Sequence, residues 1–374
     1  MELPFLAILP GLLIWISILL LPWRPWSTRE SLDSQLDSQA SIKNSDLSEI
    51  TVLIPARNEE LTISSTLYAL KQQGDGLNVI LVDDQSTDNT AELAKSVNLE
   101  HLSIISGTEL QEGWSGKLWA LEQGRQHVKT PYIILLDADI VLAKNLIPVV
   151  LEKVKNEQLQ MLSLMAFLMM ESFWEKLLIP AFIFFFKLLY PFHLSNKPNS
   201  WIAAAAGGFI FIETRVLEEL GGFNCIKDAL IDDCSLAKQV KQKKHKIWTG
   251  MTHSAISIRS YQTLSSIWQM VARTAYTQLI YSPLLLLVCT LLMVAAFGLP
   301  MAALLQSQEL LITGLFILGL QVFCYMPTLR YYSMNPLYGL VLPLIGVLYL
   351  VMTWSSAYRY YFTKGASWKG RYYN

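Results

Sequence analysis

Residues 50–60 read ITVLIPARNEE, residues 77–90 LNVILVDDQSTDNT and residues 131–139 PYIILLDAD. Each is a short apolar run that ends abruptly in charged residues, the pattern of a buried strand whose carboxyl end meets solvent. Ile50–Pro55, Leu77–Val82, Leu102–Ile105 and Tyr132–Leu136 are four such runs. Between them lie Asn58–Gln73, Thr87–Val97 and Gly116–Val128, with apolar residues at helical spacing. Buried strands alternating with helices predict an α/β unit built on an open, mostly parallel sheet. In such sheets ligands bind beyond the carboxyl ends of the strands, so the chemistry is expected there.

Those ends carry charge and no dinucleotide signature. Neither GxGxxG nor GxxxxGK[ST] follows any of the strands, which argues against a Rossmann dehydrogenase and a P-loop ATPase. Asp137 and Asp139 stand two apart after a strand and share one pleat side unless the chain turns at once. Two carboxylates meeting at a sheet edge repel, and a hard divalent cation bridging to substrate phosphates is the usual remedy; capping of the next helix is the plainer alternative. Asp83 and Asp84 can accept hydrogen bonds from a nucleobase or ribose, or belong to an Asx-turn with Ser86, Thr87 or Asp88 capping the next helix. Gly113-Trp114-Ser115-Gly116-Lys117 opens a helix, where free backbone N–H groups and an ammonium suit a diphosphate; a surface lysine after a turn fits as well. Asp232 and Asp233 precede an expected helix over Ser235–Lys241. A carboxylate there either takes a proton from an acceptor hydroxyl or caps the helix. The run Ala203 to Gly208, AAAAGG, removes side-chain bulk and permits close approach of a substrate or a second backbone.

Composition attaches this unit to a membrane. Of 374 residues 52% are hydrophobic and 16% charged, with a net charge of −1, which excludes a disordered chain and suggests no nucleic-acid surface. The four cysteines have no CxxC spacing, so neither a disulfide frame nor a zinc site is expected. Leu3–Trp23 carries no charge and is long enough to cross ~30 Å of hydrocarbon. It lacks the basic start and small-residue cleavage site of a signal peptide, so residues 1–26 read as a retained N-terminal transmembrane anchor. A polar linker over 27–48, rich in Ser, Gln and Asp, is expected to be flexible. Residues 49–260 are the α/β domain. Within it 173–192, interrupted by Lys187, reads as a helix lying in the membrane interface, and 261–282 as a second, amphipathic interfacial helix. Pro283–Leu304, Leu310–Leu329 and Pro336–Trp354 read as three further spans, over 283–354, ahead of a basic tail at 355–374. Arg24, Arg29, Arg259 and Arg273 put the domain on the cytoplasmic side, whereas the count of spans puts the tail, with Arg359, Lys364, Lys369 and Arg371, outside. A re-entrant hairpin broken at Pro336 and Pro343 would remove that conflict.

PARNEE, VDDQSTDNT, GWSGK, DAD, AGG, DDC and WQMVARTAYTQL follow one another in this order between the apolar ends. So ordered, they resemble the inverting family 2 glycosyltransferases of the GT-A fold, and within them the hopene-associated glycosyltransferase family of hopanoid-producing bacteria. The resemblance runs from about Ile50 to the last span. It implies an integral protein of the bacterial inner membrane with one N-terminal and about three C-terminal transmembrane helices, a nucleotide-sugar donor (a UDP-sugar foremost), a divalent cation, Mg²⁺ or Mn²⁺, and inversion at the anomeric carbon. Carried over by position, Pro55, Ala56, Arg57, Glu59, Asp83 and Asp84 line the nucleoside site, with Asp84 on the base, and Lys117 meets the diphosphate. Asp137 and Asp139 correspond to the metal motif, Asp139 being the more direct ligand, and Asp232 and Asp233 to the acidic pair, with Asp233 the general base.

One departure from the family pattern concerns QxxRW: Gln269 is followed by Arg273 one residue late and then by Thr274, with Trp268 the candidate replacement for the missing ring. These three residues suit either contact with the diphosphate and acceptor or an amphipathic interface role. The acceptor implied is a hopanoid offering its hydroxyl at the headgroup level. A polyprenyl phosphate, a carotenoid or a glycerolipid would ask for the same architecture. From another functional class, a catalytically inactive nucleotide-sugar-binding scaffold of a lipid-synthesis complex also fits the pattern.

Overall fold

Side-chain alternation along the central strands builds the domain. In a computed structural model, which describes residues 2–34, 45–362, 367–368 and 371–372, the strands are β1 (Ile50–Ala56), β2 (Asn78–Asp83), β3 (Leu102–Ser106), β4 (Tyr132–Leu136), β5 (Ile140–Leu142), β6 (Met161–Leu168), β7 (Phe209–Glu213) and β8 (Ile247–Ser257). Val52 and Ile54 of β1, Val79 and Leu81 of β2, and Ile134 and Leu136 of β4 enter one core layer. Their neighbours Leu53, Ile80, Val82, Ile133 and Leu135 enter the other. This period of two is what a sheet buried on both faces requires.

The helices between the strands and up to the last apolar segments are α2 (Ile63–Leu70), α3 (Thr90–Ser96), α4 (Gly116–Arg125), α5 (Leu146–Glu157), α6 (Phe173–Leu189), α7 (Phe192–Ser195), α8 (Thr214–Glu219), α9 (Asp232–Gln242) and α10 (Leu264–Gln278), after α1 (Glu2–Leu20) at the start of the chain. Strand order is β3-β2-β1-β4-β7-β6-β8-β5. The first four strands are mutually parallel, as expected; beyond β4 the sheet becomes mixed, with β7 antiparallel to β4 and β6, β8 parallel to β6, and β5 antiparallel to β8. Strand order reverses direction between β1 and β4, which opens a crevice at their carboxyl ends.

Two of the helices begin later than their periodicity predicts. Asn58 turns left-handed, with φ 51°. Residues 58–60 then interlock with 86–89: Asn58 N–H donates to Ser86 Oγ, Thr87 N–H to Asn58 Oδ1, Glu60 N–H to Asp88 Oδ2 and Asn89 N–H to Glu60 Oε2. Short polar side chains here capture backbone groups that a helix would otherwise use. Helix α9 departs in the other direction: it starts at Asp232, so the acidic pair forms its first turn instead of preceding it.

The described ends of the polar linker are docked, contrary to the expectation of a flexible segment. Leu32 N–H donates to Met251 O, Met251 N–H to Glu30 O, and Ser34 pairs with Ser254; Leu47 is fully buried. The middle of the linker lies outside the described residues.

After α10 come α11 (Pro283–Met293), a π-helical turn at Val294–Gly298, α12 (Leu299–Ala303), α13 (Gln308–Tyr331) and α14 (Leu342–Phe362). Residues 283–303, 308–331 and 336–362 are three helical segments long and apolar enough to cross a membrane, and the apolar stretch Leu6–Leu20 of α1 is shorter. The π turn leaves the Ala296 carbonyl to accept from both Trp15 Nε1 and Gln321 Nε2, which ties α1 to α13. Pro336 and Pro343 do not fold the last segment into a hairpin: a 3-10 turn at Pro336–Val341 runs straight into α14, because Pro336 opens that turn and Pro343 falls in the first turn of α14, where proline has no hydrogen bond to break. Helix α6 begins with a capping box between Ser172 and Glu175 and packs its buried Leu178, Ile179 and Phe184 against this bundle.

Candidate active site

The crevice between β1 and β4 is lined by charges drawn from four elements. Lys117, on the first turn of α4, is held there by the Ser115 cap, whose Oγ accepts from Leu118 N–H. Its Nζ lies 2.8 Å from Asp137 Oδ1 and 3.4 Å from Asp232 Oδ2. Gly207 completes the ring: a Cβ at that position would sit 3.2 Å from Lys117 Nζ and 3.5 Å from Asp233 Oδ2, so glycine is what lets the turn before β7 approach. The space left at the centre is about 10 Å³, bounded by Pro55, Lys117, Asp137, Gly207, Asp232 and Asp233, room for roughly one water.

Three carboxylates around one ammonium leave an excess of negative charge. Burial opposes the charge on Lys117, but Asp137 and then Asp232 outweigh it and hold the ammonium well above its ordinary range. Burial raises Asp137 despite its lysine partner, with Asp139 and Asp232 adding to the rise. Asp233 is pushed up to about 7, by burial first and by the neighbouring Asp232 second, although the Cys234 amide donates to its Oδ1 at 2.7 Å. A carboxylate titrating near neutrality is what general-base chemistry asks for.

The chain turns directly after β4, so Asp137 and Asp139 do not share one partner as their spacing allows. Ile140 N–H donates back to Asp137 O, and Asp139 faces the end of β8. There its Oδ2 accepts from Ser257 Oγ at 2.9 Å and from Arg259 Nε at 3.0 Å. The other arm of Arg259 reaches Glu59 Oε1 at 2.8 Å, and Thr62 Oγ1 donates to Glu59 Oε2. One guanidinium thus joins the residues expected to hold metal and nucleoside. Arg57 lies over the neighbouring strand end, donating to the Asp84 carbonyl at 2.5 Å with its Nη1 3.8 Å from the Asp84 carboxylate; Asp83 Oδ1 accepts from Ser86 N–H in an Asx-turn.

Asp137 and Asp139 supply hard oxygen ligands from two carboxylates, and among the described residues no group of three His, Cys, Asp or Glu is gathered to hold a metal. Such a pair fits a divalent cation that completes its coordination with phosphate oxygens and water.

Trp268, Gln269 and Arg273 of α10 have no bond to this cluster among those of the described residues. Trp268 Nε1 donates to Ser355 Oγ in α14, and Gln269 Nε2 donates to Ser265 Oγ. Arg273 is exposed, and its charge is felt by the half-buried Tyr261 phenol, which burial raises and Arg259 draws back. Four residues that the sequence reading did not single out as site residues help to shape the site: Arg259, Ser257, Tyr190 and Gln278. Tyr190 donates its hydroxyl to Gln278 Oε1. Burial raises its phenol, and Cys234 and Asp233 add to the rise. Arg259 was legible as a charge at a strand's carboxyl end, two residues beyond β8.

Residues 51–221 match the family Glycosyl transferase family 2. The chain carries a family 2 glycosyltransferase domain. The glycosyltransferase domain contains the ends of β1, β2 and β4, Lys117 and Gly207, while Asp232, Asp233 and Arg259 lie beyond the matched residues. Over 95 residues the chain is 37% identical to 4,4'-diaponeurosporenoate glycosyltransferase of Staphylococcus aureus strain USA300, covering 25% of each protein. The protein of the same name from strain bovine RF122 / ET3-1 is 34% identical over 106 residues, 28% of each. The chain thus spans about a quarter of the length of these curated relatives. Among solved structures, mannosyltransferase PcManGT from Pyrobaculum calidifontis, in complex with GDP-Man and Mn²⁺, superposes with a TM-score of 0.58 at 17% identity over 96% of this chain and 99% of that one. The shared fold is GT-A.

Proposed function

We propose that the protein is a membrane-bound inverting glycosyltransferase that moves a sugar from a nucleotide-sugar donor to the hydroxyl of a membrane lipid. The observation that carries this reading is the Lys117 cluster, where a carboxylate titrating near 7 stands beside an ammonium at the strand-end crevice. Asp233 takes the acceptor proton while the acceptor oxygen forms its bond to the anomeric carbon, and the bond from that carbon to the diphosphate breaks on the opposite face. Lys117 and the first turn of α4 meet the diphosphate, and Arg57, Glu59 and Asp84 the nucleoside. Asp137 and Asp139 would hold a Mg²⁺ or Mn²⁺ ion, which when bound stabilises charge on the departing diphosphate. Tyr190 and Gln278 join the ends of α6 and α10, the helices that would deliver the acceptor from the membrane.

The acceptor class we propose is an isoprenoid-derived lipid. A hopanoid follows from the order of motifs, and a carotenoid is favoured by the 37% identity to a diaponeurosporenoate glycosyltransferase. The flanking arginines support a catalytic domain on the cytoplasmic face of a bacterial inner membrane. The test is release of nucleoside diphosphate from UDP- and GDP-sugars by the purified protein with Mg²⁺ or Mn²⁺, with hopanoid alcohols or carotenoid alcohols added in turn. Stimulation by one acceptor class identifies it; nucleotide binding without turnover on any acceptor would instead favour a binding scaffold. Asp139→Ala should lose the metal-dependent part of donor affinity, and unchanged affinity would move the metal elsewhere.

A further inference from the structure

Ile202–Ala206 belongs to no helix or strand, yet it leads into Gly207, which lines the crevice. Lacking a ladder, its backbone groups are met by side chains from four other elements. Ala204 N–H donates to Ser195 Oγ of α7, and Thr249 Oγ1 of β8 donates to Ala204 O. Ala206 N–H donates to Ser163 Oγ of β6. Helix α9 holds the stretch twice, through Cys234 Sγ on Ala205 O in its first turn and Lys241 Nζ on Ile202 O in its last.

Lys241 does more than meet one carbonyl. Its side chain is 9% exposed, and its Nζ lies 2.6 Å from Ile202 O, 2.6 Å from Ser195 O and 3.3 Å from Leu194 O, which occupies all the hydrogens of an ammonium. Leu194 and Ser195 close α7, so the ammonium draws both ends of the 196–201 loop to one point. Burial pulls its pKa down to about 8, and no carboxylate offsets the pull. A buried charge without a counter-ion costs stability that an apolar side chain would not. What it secures in return is the set of carbonyls around the base of the loop. Along α9, Lys241 stands about 12 Å from Asp233. The same helix therefore carries the candidate base at one end and this clasp at the other. A hydrogen bond from the Gly207 backbone, in turn, steadies the Asp233 carboxylate.

We propose that Lys241 is a positioning residue for Asp233: by clasping the 194–202 segment to the last turn of α9 it fixes the stretch that brings Gly207 to the carboxylate. Its bonds go to backbone carbonyls outside the Lys117 cluster, so it acts through Ile202–Gly207 and not on the reacting atoms. Ser195 is the second joint of the same tie, since its carbonyl takes Lys241 and its hydroxyl takes the Ala204 amide. The inference rests on the reading of Asp233 as the general base.

Lys241→Met and Ser195→Ala, alone and together in the full chain, test it by amide hydrogen exchange and by kcat per nucleotide-binding site with UDP- and GDP-sugars. Lys241→Met is expected to speed exchange across Ala203–Gly207 by about tenfold or more while β4 and β6 stay as protected as in the parent. Its kcat should fall about tenfold with the donor KM nearly unchanged. Ser195→Ala removes no charge and should act in the same direction, and the double variant should lose less than the two single losses multiplied, because both cut one tie. Should Lys241→Met not fold, Ser195→Ala carries the test alone. A lowered melting temperature with kcat per site intact makes Lys241 a stabilising residue only and overturns the proposal, as does unchanged exchange at 203–207. Nucleotide binding without turnover in the parent overturns the base reading itself and the positioning role with it.

Discussion

Lys117 and Arg259 each hold carboxylates at the carboxyl ends of strands, but in opposite balance. Lys117 faces Asp137 and Asp232 directly, with Asp233 close by, so one positive charge meets three negative ones. Arg259 faces Asp139 and Glu59 with separate arms; Ser257 gives the same Asp139 oxygen a second donor, and Thr62 donates to the other oxygen of Glu59. An undersupplied cluster keeps a proton in play near neutral pH; a satisfied one fixes geometry. The difference separates the part of the crevice suited to reaction from the part suited to positioning.

The sharpest break of this contrast is Asp233→Asn. Turnover should fall by about 10²–10⁴-fold, the range of a lost general base, with donor affinity retained. Stability should move the other way. The folded chain holds the Asp233 proton up to about 7, whereas the unfolded chain releases it near 3.8, so the native carboxyl costs stability as pH rises through that window. The asparagine variant should therefore melt higher than the parent at about pH 8 and no differently at about pH 4. An active variant would remove Asp233 from the base role.

On the Arg259 side the expected loss is structural. Arg259→Ala leaves two buried carboxylates without their cation and should cost about 2–3 kcal/mol by thermal unfolding, less than a fully buried pair because a third of the arginine is exposed. Lys117→Met should cost less, and less at about pH 5.5 than at about pH 8, because its carboxylates can take up protons in place of the lost ammonium. Equal losses for the two variants at both pH values would erase the distinction between the clusters.

Gly207→Ala probes the spacing inside the Lys117 ring. The added methyl presses on Lys117 Nζ and Asp233 Oδ2, flexible side-chain ends, so the fold should survive while turnover drops about tenfold. The smallest effect belongs to Asp232→Asn. Removing that charge lowers the Asp233 pKa, and the acid limb of the pH–rate profile should move to lower pH; an unmoved limb would assign it to another group.

Much of the fold was legible because it is written locally. Tyr132–Leu136 matches β4 residue for residue, and the other three runs match to within a residue at either end. The strand-end rule also led to Asp137, and the helix-start readings to Lys117, Asp232 and Asp233, which the fold brings into one crevice. The later starts of α2 and α3 were not legible, since side chains of the 58–60 and 86–89 loops bond each other across about 28 residues. Nor was the separation of Asp137 from Asp139, which depends on a turn that period-two spacing does not encode.

By itself, then, the sequence determined the alternation of strands and helices, the carboxylates waiting at the strand ends and the apolar segments that hold the chain to a membrane. All three arise from patterns within a few residues of one another. Tertiary structure alone decided which cation meets which carboxylate. Arg259 reaches Asp139 across 120 positions and Glu59 across 200, an encounter set by strand order that no local period can carry.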